Sequence, residues 1–166
     1  VNQLLDFRKL DQQKTQLMLS HGNLSDFVKE VCGSFIPQAV KKGINIRLHI
    51  NETKMDMDFD RNKIQRILLN LLSNAVKYNY ENGEVIVALD KITANGTENA
   101  QIQVADTGIG IKDENKDKIF DRFFQEQHST TTYVGNGIGL HIVKEYVAMH
   151  HGTITVENHI PQGTIF

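Results

Sequence analysis

Between Asp60 and Tyr78 runs the segment whose side-chain pattern leaves the chain least choice of conformation. At about 100° per residue, Ile64, Ile67, Leu68, Leu71, Leu72 and Ala75 fall on one face, and a stripe that wide has to be buried. Asp60 stands where an N-cap belongs, so the pattern predicts a helix from Arg61 to about Tyr78. Asn70, Asn74 and Lys77 lie beside the apolar face, within about 60° of one another. An Asn can offer its carbonyl oxygen to a hard cation and its NH₂ to an oxyanion, while a Lys supplies point positive charge for phosphate. The same three residues also suit a solvated helix face, so this helix alone decides nothing about chemistry.

The flanking sequence supplies a core for that helix. Phe27, Val28, Val31, Cys32, Phe35, Ile36, Ala39 and Val40 form a second helical stripe, with Asn23 or Ser25 as cap and Gly43 as stop. Pro37 should kink it. Ile44, Ile46, Leu48 and Ile50 alternate with polar residues as a half-buried strand does. Residues 84–89 and 100–105 read as strands joined by a turn at Asn95-Gly96. A short helix is expected around Phe120, a longer one from Gly139 to about His151, and closing strands at 153–157 and 163–166. Residues 125–137 are polar, Thr-rich and without period, which predicts mobility. Strands and helices are interspersed without a regular βαβ rhythm. The expected fold is therefore α+β: a two-layer α/β sandwich with one mixed sheet and helices on one face.

Two glycine-rich segments carry the remaining chemical signal. Asp106-Thr107-Gly108-Ile109-Gly110-Ile111 follows a strand; its glycines allow close backbone approach, and Asp106 supplies an anionic acceptor. A strand-ending turn would look the same. Gly135-Asn136-Gly137-Ile138-Gly139-Leu140 opens the last helix, where exposed N–H groups suit phosphate. Neither segment completes a dinucleotide fingerprint or a phosphate loop ending in Gly-Lys-Ser/Thr. Each is weak alone; the order and separation of the three elements are not.

In that order they resemble the histidine kinase branch of the GHKL ATPase superfamily. Asn70-Leu-Leu-Ser-Asn74-Ala-Val-Lys77-Tyr78 looks like its N box, Asp106-Thr-Gly108-Ile-Gly110 like its G1 box. Phe120-Asp-Arg122-Phe123-Phe124 is similar to the F box and Gly135-Asn-Gly137-Ile-Gly139-Leu140 to the G2 box, and Gly163-Thr164-Ile-Phe166 matches the family's ending. The resemblance covers roughly residues 24–166. It implies a Bergerat-type ATP site under a flexible lid spanning 125–137. Asp106, helped by Thr164 directly or through a water, would accept from the adenine amino group. Asn74 would hold Mg²⁺ against the phosphates with Asn70 assisting, Lys77 would meet phosphate oxygens, and Tyr78 would line the pocket. Phe120 and Phe123 would anchor the lid's base. Arg122 would reach the γ-phosphate or the phosphoacceptor helix. Gly108, Gly110, Gly135, Gly137, Gly139 and Leu140 would shape the nucleotide cradle.

One position separates kinase from hydrolase in that superfamily. Hydrolysing relatives place a Glu four residues before the magnesium-binding Asn, as a general base for water. Here that position is Asn70, whose amide has no useful basicity. The resemblance therefore favours passing the phosphoryl group to an external nucleophile. Two alternatives stay open: a hydrolase driving a conformational cycle, and a degenerate nucleotide-binding or docking module. The second draws on a departure from the family, since 123–138 holds no Lys or Arg and lid closure would be weak or depend on His128.

The family's acceptor histidine precedes an acidic residue, and none of the seven histidines here does. His150 and His151 point about 100° apart on a helix and cannot share a metal through one face. Val1 to Leu19 carries apolar residues at Val1, Leu4, Leu5, Phe7 and Leu10, like the end of an amphipathic helix whose partner lies elsewhere. It resembles the end of the second dimerisation helix, which places the acceptor upstream of residue 1. The expected organisation is thus a helix remnant over 1–19 and the catalytic domain over 20–166. The implied partners are the dimerisation/phosphoacceptor domain, within a homodimeric full-length protein, and a response regulator receiver domain. A net charge of −2 argues against nucleic acid. No apolar run reaches the ~20 residues of a membrane span. A cytoplasmic domain without direct membrane contact is expected, in a membrane-associated parent. The single cysteine, Cys32, reads as core.

Overall fold

The computed structural model describes residues 15–94, 96–125 and 136–166. Most of the helix expected over 1–19 lies outside these residues, and its expected last turn is corrected: residues 15–19 carry no helix. Their backbone is held by side chains instead. The Met18 amide donates to Asp60 Oδ2 at 2.8 Å and the Gln16 carbonyl accepts from Lys63 Nζ at 2.7 Å. The chain then enters a strand, β1 (Ser20–Asn23), where the sequence suggests no strand and only a cap at Asn23. It pairs antiparallel with β3 (Asp56–Phe59), and the facing residues His21 and Asp58 approach to 2.9 Å through Nδ1 and Oδ1.

The first helix, α1 (Leu24–Val40), is capped by Asn23, whose side chain accepts from the Ser25 amide at 3.0 Å. Phe27, Val28, Val31, Cys32, Phe35 and Ala39 are buried along one face. Burial pushes the Cys32 thiol up to about 11, as suits an inert core residue. Pro37 lies inside the helix, which continues to Val40 before Gly43, at φ +67°, turns the chain. The central helix, α2 (Arg61–Lys77), has the expected cap: Asp60 accepts from the Lys63 amide at 3.1 Å. Leu68 and Leu72 are fully buried, and residues of this kind contribute roughly 1.5–3 kcal/mol each on burial.

Five strands form the main sheet in the order β2-β4-β5-β7-β6, with β2 (Asn45–Ile50), β4 (Glu84–Ala94), β5 (Thr97–Asp106), β6 (Glu157–Asn158) and β7 (Thr164–Ile165). β2 and β4 run parallel and the other neighbours antiparallel, so the sheet is mixed as expected. Val85, Val87 and Leu89 point into the core on alternate positions, joined by Val104. α1 and α2 pack against the sheet and α3 (Gly139–Met149) packs beside α2, giving the two-layer architecture.

Several boundaries differ from expectation. β4 and β5 are longer than the sequence suggested, because the hairpin ladder continues past the core to Ala94 and Thr97. The helix expected at Phe120 is a 3₁₀ turn at Asp113–Asn115 followed by turns. The last strands shrink to two residues each, since only Ala105–Ile165 and the β6 pairs are in register. Among the described residues, no helix is long and apolar enough to cross a membrane.

Candidate functional site

A cleft opens where the end of α2, the loop after β5 and the start of α3 converge. Of the residues singled out from sequence, Asn74, Tyr78, Asp106, Gly110, Leu140 and Thr164 line it. They come from segments far apart in the chain, so the fold assembles what the sequence only ordered.

Asp106 sits at the last position of β5 and is 7% exposed. Its Oδ1 accepts the Gly108 amide at 2.8 Å and the Thr164 amide at 3.3 Å. Burial raises its carboxyl above the usual carboxylate range, against the pull of those two amides and of His159. Both bonds fall on one oxygen of a group that borders the cleft, leaving the carboxylate acceptor capacity for a ligand donor.

The loop holding Asp106 is tied to the end of α2 by backbone and side chain together. The Ile109 amide donates to the Tyr78 carbonyl at 3.0 Å, and the Thr107 hydroxyl donates to Asn79 Oδ1 at 3.2 Å while accepting the Glu84 amide at 2.9 Å. Only glycine fits at 108, because a Cβ there would overlap the Tyr78 carbonyl oxygen. The two motifs thus fix each other's backbone.

The other expected residues sit around the cleft without lining it. Asn70 donates to the Arg66 carbonyl at 2.8 Å, one turn back along α2. Lys77 Nζ lies 3.0 Å from the Tyr78 hydroxyl and 4.7 Å from the centre of its ring. Phe120 is buried and meets Phe166 edge-on, with ring centroids 6.2 Å apart. Phe123 is 61% exposed, and its main-chain amide donates to the Gly137 carbonyl at 2.9 Å. Gly137 has φ +62°, and a Cβ would come within 2.7 Å of Phe123 Cα. Gly139 is the first residue of α3, whose N-cap Ile138 offers no side-chain bond to the first-turn amides. Gly135, His128 and most of the expected lid lie outside the described residues.

Arg122 is engaged by a residue the sequence reading passed over. Its Nε donates to His141 Nε2 at 3.2 Å, which leaves Nδ1 of His141 to donate to the Phe120 carbonyl at 3.3 Å. Also unforeseen are the apolar walls, built by Ile109, Ile111, Ile119, Phe124 and Phe166. Isoleucines alternating with glycine in a loop were the available signal, since exposed loops rarely carry them. An apolar wall beside a buried anionic acceptor suits a heteroaromatic base bearing an amino group.

A family model described as "Histidine kinase-, DNA gyrase B-, and HSP90-like ATPase" matches residues 59–166. Histidine kinase P4 of Formosa agariphila is 36% identical over 100% of this chain, which spans 12% of that protein. Hybrid signal transduction histidine kinase D of Dictyostelium discoideum is 38% identical over 95% of the chain, which spans 10% of its length. The chain thus covers only a small part of these relatives. Among solved structures, the catalytic domain of histidine kinase ThkA matches with TM-score 0.76 and 27% identity, covering 90% of this chain and 92% of that one. Full-length ShkA in complex with AMPPNP matches with TM-score 0.84 and 29% identity, covering 99% of this chain and 33% of that one.

Proposed function

The chain belongs to the histidine kinase-, DNA gyrase B- and HSP90-like ATPase family, as the catalytic ATP-binding domain of a sensor histidine kinase, and from this premise we propose that it binds Mg·ATP and transfers the γ-phosphoryl group to a histidine on a separate dimerisation domain. The observation that carries the reading is the convergence of Asn74, Asp106 and Thr164 on one cleft whose remaining wall is apolar.

Each residue then has a task. Asp106 accepts from the adenine amine, with Thr164 fixing the carboxylate through its amide. Tyr78 and the isoleucines cover the ring. The first-turn amides of α3, uncapped by any side chain at Ile138, suit phosphate oxygens. Asn74 fits Mg²⁺ as one neutral oxygen donor, since this ion takes few protein ligands and is completed by phosphates and water. When bound, the ion neutralises charge developing on the phosphates. In this reading Lys77, 3.0 Å from the Tyr78 hydroxyl, and Arg122, bonded to His141, turn toward phosphate once nucleotide enters.

Asn70 decides between transfer and hydrolysis. A carboxamide donating to the Arg66 carbonyl has no basicity with which to activate water. The terminal P–O bond of ATP therefore breaks toward an imidazole nitrogen, leaving ADP and a P–N bond. That full-length ShkA, a structural relative, was solved in complex with AMPPNP supports nucleotide binding. We further assign the dimerisation domain of the parent, in a homodimer, as acceptor, a response regulator receiver as the next recipient, and a cytoplasmic location.

The test is direct. Incubated with labelled Mg·ATP, the chain alone should bind nucleotide, show trace hydrolysis and stay unlabelled. Fusing the upstream helical hairpin of its own parent should yield acid-labile, base-stable label, because tethering raises the acceptor to about the millimolar range. Rapid turnover by the chain alone would mean hydrolysis is its activity.

A further inference from the structure

Asp106 is the residue on which base recognition depends, yet the strand that carries it ends there. Val104 and Phe166 exchange both main-chain bonds, at 2.9 and 3.0 Å, and Ala105 is in register with Ile165. In an antiparallel ladder the next pair to exchange bonds would be Asp106 and Thr164. At that step the Thr164 amide reaches the Asp106 carboxylate at 3.3 Å, and the Asp106 main-chain carbonyl is met by a side chain, His159 Nδ1, at 2.7 Å. A carbonyl can only accept, so Nδ1 carries the proton and donates.

His159 is itself fixed. It opens the turn between β6 and β7, and its amide donates to the Gly163 carbonyl at 3.1 Å. Gly163, at φ +127°, is crowded against the same Asp106 carbonyl; a Cβ there would overlap its oxygen. Gln162 in this turn donates from Nε2 to the Tyr80 hydroxyl at 2.9 Å, tying the turn back to the segment after α2. The turn is thus held on three sides while its histidine grips the peptide group of Asp106.

We propose that His159 is a positioning residue for base recognition: by donating Nδ1–H to the Asp106 carbonyl it takes over the ladder bond, frees the Thr164 amide for the carboxylate, and holds that carboxylate at the depth where an exocyclic amine can meet it. The inference rests on the reading of the cleft as an adenine site. Burial raises the Asp106 carboxyl, and the charge His159 can carry works against that, in keeping with a histidine placed behind the carboxylate. His159 touches no ligand in this role. It acts through Asp106.

The test compares ATP with purine riboside triphosphate, which lacks the exocyclic amine, by calorimetry on the chain and three variants. His159→Leu removes the donor, and His159→Asn keeps one near the Nδ1 position. Loss of one such hydrogen bond corresponds to roughly a 2- to 10-fold change. His159→Leu should weaken ATP by about that factor, leave purine riboside triphosphate unchanged, and be rescued by His159→Asn. Equal weakening of both nucleotides in both variants would mean a merely structural turn and would overturn the proposal. Unchanged ATP affinity in His159→Leu, with Asp106→Asn strongly impaired, would overturn it while sparing the adenine reading. If Asp106→Asn itself binds both nucleotides like the parent chain, the adenine reading falls and this inference with it.

Discussion

Lys63 Nζ lies 2.6 Å from Asp60 Oδ2, one helical turn away, with both side chains buried. The pair holds the incoming chain through Gln16 and Met18, and His150 Nε2 accepts the Asp60 amide at 3.1 Å, so three segments meet there. Burial works to raise the Asp60 carboxyl, but the bonds from the Lys63 side chain, the Met18 amide and the Lys63 amide prevail and hold it below the usual carboxylate range.

Breaking this pair should therefore be expensive. Lys63→Met leaves a buried carboxylate without its cation, at a cost of about 3 kcal/mol in urea unfolding. The sign with pH follows from the lowered folded value. The contribution is complete above the ordinary carboxylate pKa and is lost as pH falls through the folded one. The variant should show a flatter acid limb than the parent chain, and equal acid limbs would rule the pairing out as the cause.

Asp106 has the opposite sign. Its folded carboxyl is raised, so its contribution to stability is present in acid and fades as pH rises through that value. Asp106→Asn should remove the fade and unfold no more easily than the parent at pH 7, while ATP binding weakens by about 1–3 kcal/mol as an amide turns a donor toward a donor. Calorimetry and denaturation on one preparation separate the two effects. A folded variant with unchanged affinity would contradict the adenine assignment.

Asn74→Ala should cancel most of the difference between ATP affinities measured with Mg²⁺ and with chelator. It should barely touch stability, since Asn74 is only half-buried at the cleft edge. A persistent Mg²⁺ effect would put the ion elsewhere.

Gly108→Ala forces a Cβ into the Tyr78 carbonyl, and neither backbone can yield without losing the Ile109–Tyr78 bond. Overpacking of this kind costs about 1–3 kcal/mol. Nucleotide affinity should fall with stability, because the same shift displaces Asp106. Thermal unfolding with and without ATP would report both.

What the sequence revealed, it revealed through periodicity and spacing. α2 was legible because seventeen residues repeat one stripe and Asp60 caps them. The cleft's polar residues were legible as ordered motifs. β1 and β3 were not, since four-residue strands are too short to show alternation and the residues they pair, such as His21 and Asp58, lie far apart in the chain. Residues 15–19 read as helix because their polar backbone partners, Asp60 and Lys63, lie more than forty positions away. His159 carried no local mark either; its role exists only once β6 and β7 fold its turn back onto Asp106.

The bond from the Phe123 amide to the Gly137 carbonyl has a consequence for how this family member can be re-engineered. With Phe123 and Gly137 clasped, the chain between them closes a loop whose closure entropy rises only slowly with its length. Doubling that length would cost the fold only about 0.6 kcal/mol in closure entropy. As far as closure entropy goes, then, the number of residues between Phe123 and Gly137 constrains the scaffold only weakly.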